Sequence, residues 1–124
     1  MTDTAVTIQV KHTIDKQRLE DLLVGAFEGG SNYWIARATP LRSGRRDLYE
    51  AAFDGGVNVY IAAERGDPRN GEKYRLNLSN MERGLQVMAD KYPRHLGDIL
   101  AGEDDATTAD VFLQLSLFGE VVYG

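Results

Sequence analysis

The chain has 124 residues, of which 43% are hydrophobic and 27% charged, with a formal net charge of −5 and no cysteine. That size supports one domain, residues 1–124, with a modest core; the composition excludes wholesale disorder, and the lack of cysteine excludes disulfides and thiolate chemistry. The acidic balance argues against duplex nucleic acid as a partner, and no apolar run approaches the roughly 20 residues of a membrane span.

Residues 5–14 alternate, with Val6, Ile8 and Val10 on one face, and read as a strand. Asp15 follows as a helix N-cap, and Leu19, Leu22, Leu23, Ala26 and Phe27 recur at helical spacing. Gly29-Gly30 should stop that helix, since glycine tolerates the left-handed region beyond a helix end. Asn32–Ala38 reads as a second strand, Thr39–Asp47 as a polar connection and Leu48–Phe53 as a short helical turn. Val57, Val59, Ile61 and Ala63 alternate with Asn58, Tyr60, Ala62 and Glu64 in a third strand. After the turn Arg65–Gly71, with its Asn70-Gly71 pair, a fourth strand places Tyr74, Leu76 and Leu78 inward and Lys73, Arg75, Asn77 and Ser79 outward.

Ser79 and Glu82 fit a capping box, opening a helix whose apolar stripe is Met81, Leu85, Met88, Ala89 and Tyr92, with Pro93 ending it. A short turn through His95–Leu100 and the acidic loop Gly102–Thr108 lead to a last helix near Ala109–Phe118, capped by Thr107 or Thr108. The expected fold is α+β: an antiparallel sheet of about four strands with helices packed on one face, in the order β-α-β-β-β-α-α. The last helix is apolar nearly all round, and such a helix must be covered on every side. Two arrangements do this: a homo-oligomer interface formed by Val111, Phe112, Leu115 and Phe118, or a fully buried central helix in a monomer.

Charge is unevenly distributed. Between Arg37 and Arg75 the balance is +2, and over the other residues −7; after Arg94 no Lys or Arg follows. Most of the central cations are arginine, whose planar fork suits phosphate or carboxylate. An acidic body with an arginine-rich middle would repel long polyanions and admit a small one, although the same arginines also fit plain solvated loops.

Signals for catalysis are weak. His12 and His95 sit in no recognisable arrangement with an acid or a second histidine. Glu103-Asp104-Asp105 lacks the alternating donors of a calcium loop, and neither a nucleophile elbow nor a phosphate loop is present. Gly29-Gly30 follows a helix and precedes a strand, the reverse of a dinucleotide fingerprint. No enzyme activity, cofactor or metal is expected. Binding has better candidates. If Tyr33 and Ile35 face the core, Trp34 points outward, where an indole could stack on a purine. Arg37 lies on the core side near the strand's end, and Arg75 and Asn77 project from the hairpin as an anion donor and a base-edge amide. With Arg42, Arg45 and Arg46 they make a candidate ligand set. A core role for Trp34 and a plain surface role for Arg75 and Asn77 account for the same pattern.

The stretches Gly25–Trp34 (GAFEGGSNYW) and Ala109–Gly124 (ADVFLQLSLFGEVVYG) resemble a group of small phage-encoded proteins of similar length. In element order and size the chain is further similar to the phage anti-Thoeris sponge family, which sequesters cyclic ADP-ribose isomers and, in some members, the cyclic oligonucleotides of CBASS defence. That resemblance implies a sheet with C-terminal helices, homo-oligomeric assembly, and capture of a small nucleotide signal without turnover. A phage anti-defence protein acting in the host cytoplasm is therefore expected; the MTDTAVTIQV start, which lacks a secretory pattern, agrees with that location. The alternative is an acidic inhibitor that binds a host nuclease or CRISPR effector.

Overall fold

The computed structural model describes residues 4–42, 44 and 47–124. Its elements run α1 (Lys16–Gly25), a π-helical turn (Ala26–Gly30), β1 (Ile35–Pro40), α2 (Leu48–Phe53), β2 (Val57–Ile61), β3 (Lys73–Leu76), α3 (Leu78–Lys91), α4 (Pro93–Ala101) and α5 (Ala106–Phe118). The fold is α+β, a three-stranded antiparallel sheet in spatial order β1-β2-β3 with five helices. Residues 5–14 form no strand. They have no regular structure and face water, with Val6 82%, Ile8 75% and Val10 64% exposed. Alternation supplies only the face of a strand; a strand also needs a ladder partner, and no described neighbour pairs with this one.

Four helices open on an Asx cap. Asp15 accepts from the Arg18 N–H, Asp47 from Tyr49 and Glu50, Asn77 from Asn80, and Asp105 from Thr108. Two boundaries differ from expectation for that reason: α3 opens at Asn77 rather than Ser79, and α5 opens at Asp105, ahead of Thr107 and Thr108. Leu78 accordingly begins a helix and is exposed instead of lining the sheet. The stretch after Pro93 forms a full nine-residue helix, with Pro93 in its first turn, where the missing N–H costs nothing.

Helix α5 is the centre of the molecule. Every residue from Thr108 to Leu117 is buried, enclosed by α3, α1, the π turn, α4 and β3. Val111, Phe112 and Leu115 are therefore not an oligomer interface: the chain's own helices cover them, and Phe118 is half-buried against Trp34, Tyr74 and Tyr123. The second sequence-derived arrangement, a central helix buried within one chain, is the one adopted. Two close approaches make room for it. A Cβ on Gly30 would lie 2.0 Å from the Ala106 carbonyl oxygen, so this glycine serves proximity rather than a left-handed backbone. A Cβ on Gly84 would lie 2.8 Å from the Ser116 nitrogen and 2.9 Å from its Cα.

Below α5, the inner face of the sheet consists of Val57, Val59, Ile61 and Leu76, all buried. Among the described residues, no helix covers the outer face, where Arg37, Lys73 and Arg75 are exposed. Gly84→Ala is expected to push α3 from α5 and cost about 1–3 kcal/mol in urea unfolding, whereas Gly97→Ala, with nothing within 4 Å of its added Cβ, should not destabilise the fold.

Candidate functional site

Sheet register settles which side chains share the open face. Arg37 pairs with Tyr60 and Tyr60 with Lys73; Thr39 pairs with Asn58 and Asn58 with Arg75. Residues directly opposite on antiparallel strands project to the same side. The outer face thus presents two rows, Arg37–Tyr60–Lys73 and Thr39–Asn58–Arg75, about 7 Å apart along the strands. Between Ile35 and Arg37 the register slips against Ile61 and Tyr60, leaving Ala36 as an extra, bulged residue. That bulge reverses the phase of β1 and turns Arg37 outward, correcting its expected core-side placement. The Arg37 guanidinium carbon lies 3.8 Å from the Tyr60 ring centroid, a cation–π contact. Among the described residues, none of Arg37, Lys73 and Arg75 is held in an ion pair. Their charge is available to an anion.

The other expected ligand residues lie elsewhere. Trp34 is 1% exposed, so it offers no platform for a base. It precedes β1 in a turn, where strand alternation does not apply, and its ring packs against Tyr123 (centroids 5.7 Å) and Phe118 (5.4 Å). Arg42 is ion-paired to Asp54 at 2.5 Å, with its stem against Gly55. Arg45 and Arg46 lie outside the described residues. Asn77 spends its side-chain oxygen on the α3 cap, so Asn58 is the amide standing on the open face. Of the expected set, the structure brings together Arg37 and Arg75, and adds Lys73, Asn58 and Tyr60. Tyr60 was the overlooked aromatic; its alternation with Val59 and Ile61 already placed it outward.

A second polar assembly lies beneath Trp34. Asp110, buried on α5, accepts the Ser31 hydroxyl and the Trp34 indole N–H at Oδ1 and the Tyr33 hydroxyl at Oδ2, each at 2.7 Å. One helical turn on, the fully buried Gln114 accepts the Val122 and Tyr123 backbone N–H groups and donates to the Tyr123 carbonyl. The stretches GGSNYW and ADVFLQLSLFGEVVYG therefore meet in one joint. With three donors on its carboxylate, Asp110 acts as a fastener for the turn. Burial of the Tyr33 hydroxyl end, then its bond to Asp110, push that phenol up to about 12. Because the folded pKa is raised, this contribution to stability is complete below pH 10 and is lost as pH rises toward 12.

Among the described residues, no three His, Asp or Glu side chains gather in a way that could hold a metal ion. Among the described residues, no helix is long and apolar enough to cross a membrane. No family model matches the chain, and neither a curated protein nor a solved structure does.

Asp110→Ala leaves the Ser31 hydroxyl and Trp34 N–H without their acceptor and should cost about 2–4 kcal/mol, read by urea unfolding. Tyr33→Phe, at an exposed ring, should cost about 1 kcal/mol or less and remove the tyrosinate that titrates near pH 12 in a 295 nm absorbance titration.

Proposed function

We propose that the chain is a non-catalytic binder of a small nucleotide-type anion, and that the ligand lies on the open face of the sheet. The observation that carries this reading is a group of three cations without ion-pair partners among the described residues, around one aromatic ring, on a protein of net charge −5. A base would stack on Tyr60, in place of the Arg37 guanidinium or beneath it, while Lys73 and Arg75 take phosphate oxygens. Asn58 stands on β2 between Thr39 and Arg75, in the row next to Tyr60, with both a donor and an acceptor for a base edge. The two rows hold cations, an amide, a phenol and a hydroxyl, with neither carboxylate nor imidazole to move a proton. That inventory supports a reading of capture without turnover. The resemblance to phage anti-defence sponges supports the same reading, with a cyclic nucleotide or cyclic ADP-ribose isomer as the guest and the host cytoplasm as the place of action.

Isothermal titration against a panel of cyclic nucleotides and cyclic ADP-ribose isomers tests it. At least one member should bind with micromolar or tighter affinity and be recovered chemically unchanged. Base–aromatic stacking is worth about 1–3 kcal/mol, so Tyr60→Ala should weaken binding by roughly 5- to 150-fold. Arg75→Ala should weaken it and flatten its salt dependence, whereas Trp34→Phe should act on stability before affinity. Silence from the whole panel defeats the proposal, and a stoichiometric host protein retained in a pull-down would favour the acidic-inhibitor reading.

A further inference from the structure

The open sheet face already has an occupant of its own. Tyr60 is half-buried at the centre of the row Arg37–Tyr60–Lys73, and the Arg37 guanidinium carbon lies 3.8 Å from its ring centroid. At that distance the planar guanidinium is in stacking contact with the ring. A base that stacks on the same ring face needs the same volume. Guanidinium and base therefore compete for Tyr60.

Arg37 holds the ring because the face offers it no counterion. The two outward rows contain no carboxylate, and among the described residues Arg37 enters no ion pair. Its charged neighbours on the face are cations: Lys73 stands two strand spacings away, about 10 Å, and Arg75 lies one row further on. An exposed cation–π contact amounts to a preference of only about 2- to 5-fold. A phosphate changes the balance. It accepts the guanidinium fork in a bidentate, charge-assisted geometry, which is the stronger interaction, and it draws Arg37 off the ring. An uncharged nucleoside has no such acceptor and must displace the guanidinium unaided.

We propose that Arg37 gates the open face: it covers Tyr60 until an anionic group takes it, and the ring so uncovered receives the base of the same molecule. The gate rests on the ligand reading given above and adds a rule of selection to it. Phosphate and base bind cooperatively through one side chain, and nucleosides and other neutral aromatics are rejected. The bulge at Ala36 is what the gate requires of the fold, since it sets Arg37 over Tyr60.

Two NMR measurements on the full chain test the gate, the first without any base. Inorganic pyrophosphate should move the Tyr60 ring resonances, assigned with Tyr60→Phe, toward their positions in Arg37→Ala. The second compares adenosine diphosphate with adenosine. The wild type should bind the diphosphate more tightly. Arg37→Ala should weaken the diphosphate by roughly 10-fold, through loss of a charge-assisted bond, and tighten adenosine by about 2- to 5-fold, through loss of the competing guanidinium. A plain phosphate contact, or a structural role for Arg37, does not move the two ligands in opposite directions. Tyr60 resonances indifferent to pyrophosphate, adenosine affinity unchanged or lowered in Arg37→Ala, or a wild type without preference for the diphosphate would each overturn the gate. The ligand reading outlives that result if a member of the nucleotide panel still binds, whereas silence from the whole panel removes both.

Discussion

A helix with no polar side must be enclosed, and in this chain that demand organises everything else. From Thr108 to Leu117 α5 is buried without interruption, including two side chains, Asp110 and Gln114, that lie badly in an apolar interior. An unpaired carboxylate there would cost several kcal/mol, so its burial is tolerable only with donors supplied. The turn after the π helix supplies three, and the chain beyond α5 bonds both ends of the Gln114 amide. Apolar enclosure sets where α5 lies; the two polar groups set which segments lie against it and in what register. A purely apolar α5 could slide or rotate among its neighbours, whereas a carboxylate bonded to three named donors cannot.

The same joint reaches the open sheet face through Trp34. Its indole is tied to Asp110, and its carbonyl accepts the Ala62 N–H at 2.9 Å, so the entry to β1 is fixed at both side chain and backbone. Ile35 then pairs with Ile61, and the ladder must recover its phase before Ala38 meets Val59 on the inner side. One extra residue, Ala36, makes that adjustment. Its consequence is to bring Arg37 over Tyr60 on the outer face. The arrangement of the cationic outer face thus follows from a constraint imposed on the far side of the sheet.

Much of the local structure was legible because it depends on near neighbours in sequence. Asp15 and the Leu19, Leu22, Leu23 stripe identified α1, and the alternation of Val57 to Ile61 oriented β2 correctly on both faces. What could not be read depended on contacts between distant residues. Residues 5–14 carry a strand's pattern, but no strand among the described residues pairs with them. Arg37 was assigned inward because period-two counting cannot register a bulge created by pairing with β2. Trp34 could be read as an outward stacking platform or as a core aromatic, and the choice was not legible because its acceptor, Asp110, is 76 residues away. The clue available for that contact was a carboxylate and an amide, four residues apart, inside an otherwise apolar helix.

Net charge also misleads when taken as a single value. The chain is acidic overall, yet the three exposed cations of the sheet face have no described ion-pair partner, whereas Lys16, Arg18 and Arg42 are each paired with a carboxylate. Cations already paired contribute little field, because the partner carboxylate cancels it within a few ångströms. Cations left unpaired keep theirs and attract a compact anion over about a Debye length, roughly 8 Å at physiological salt. An extended polyanion would overrun that range and meet the acidic remainder of the surface. The distribution therefore favours a compact anion over an extended one, the discrimination that the proposed capture of a small nucleotide would require.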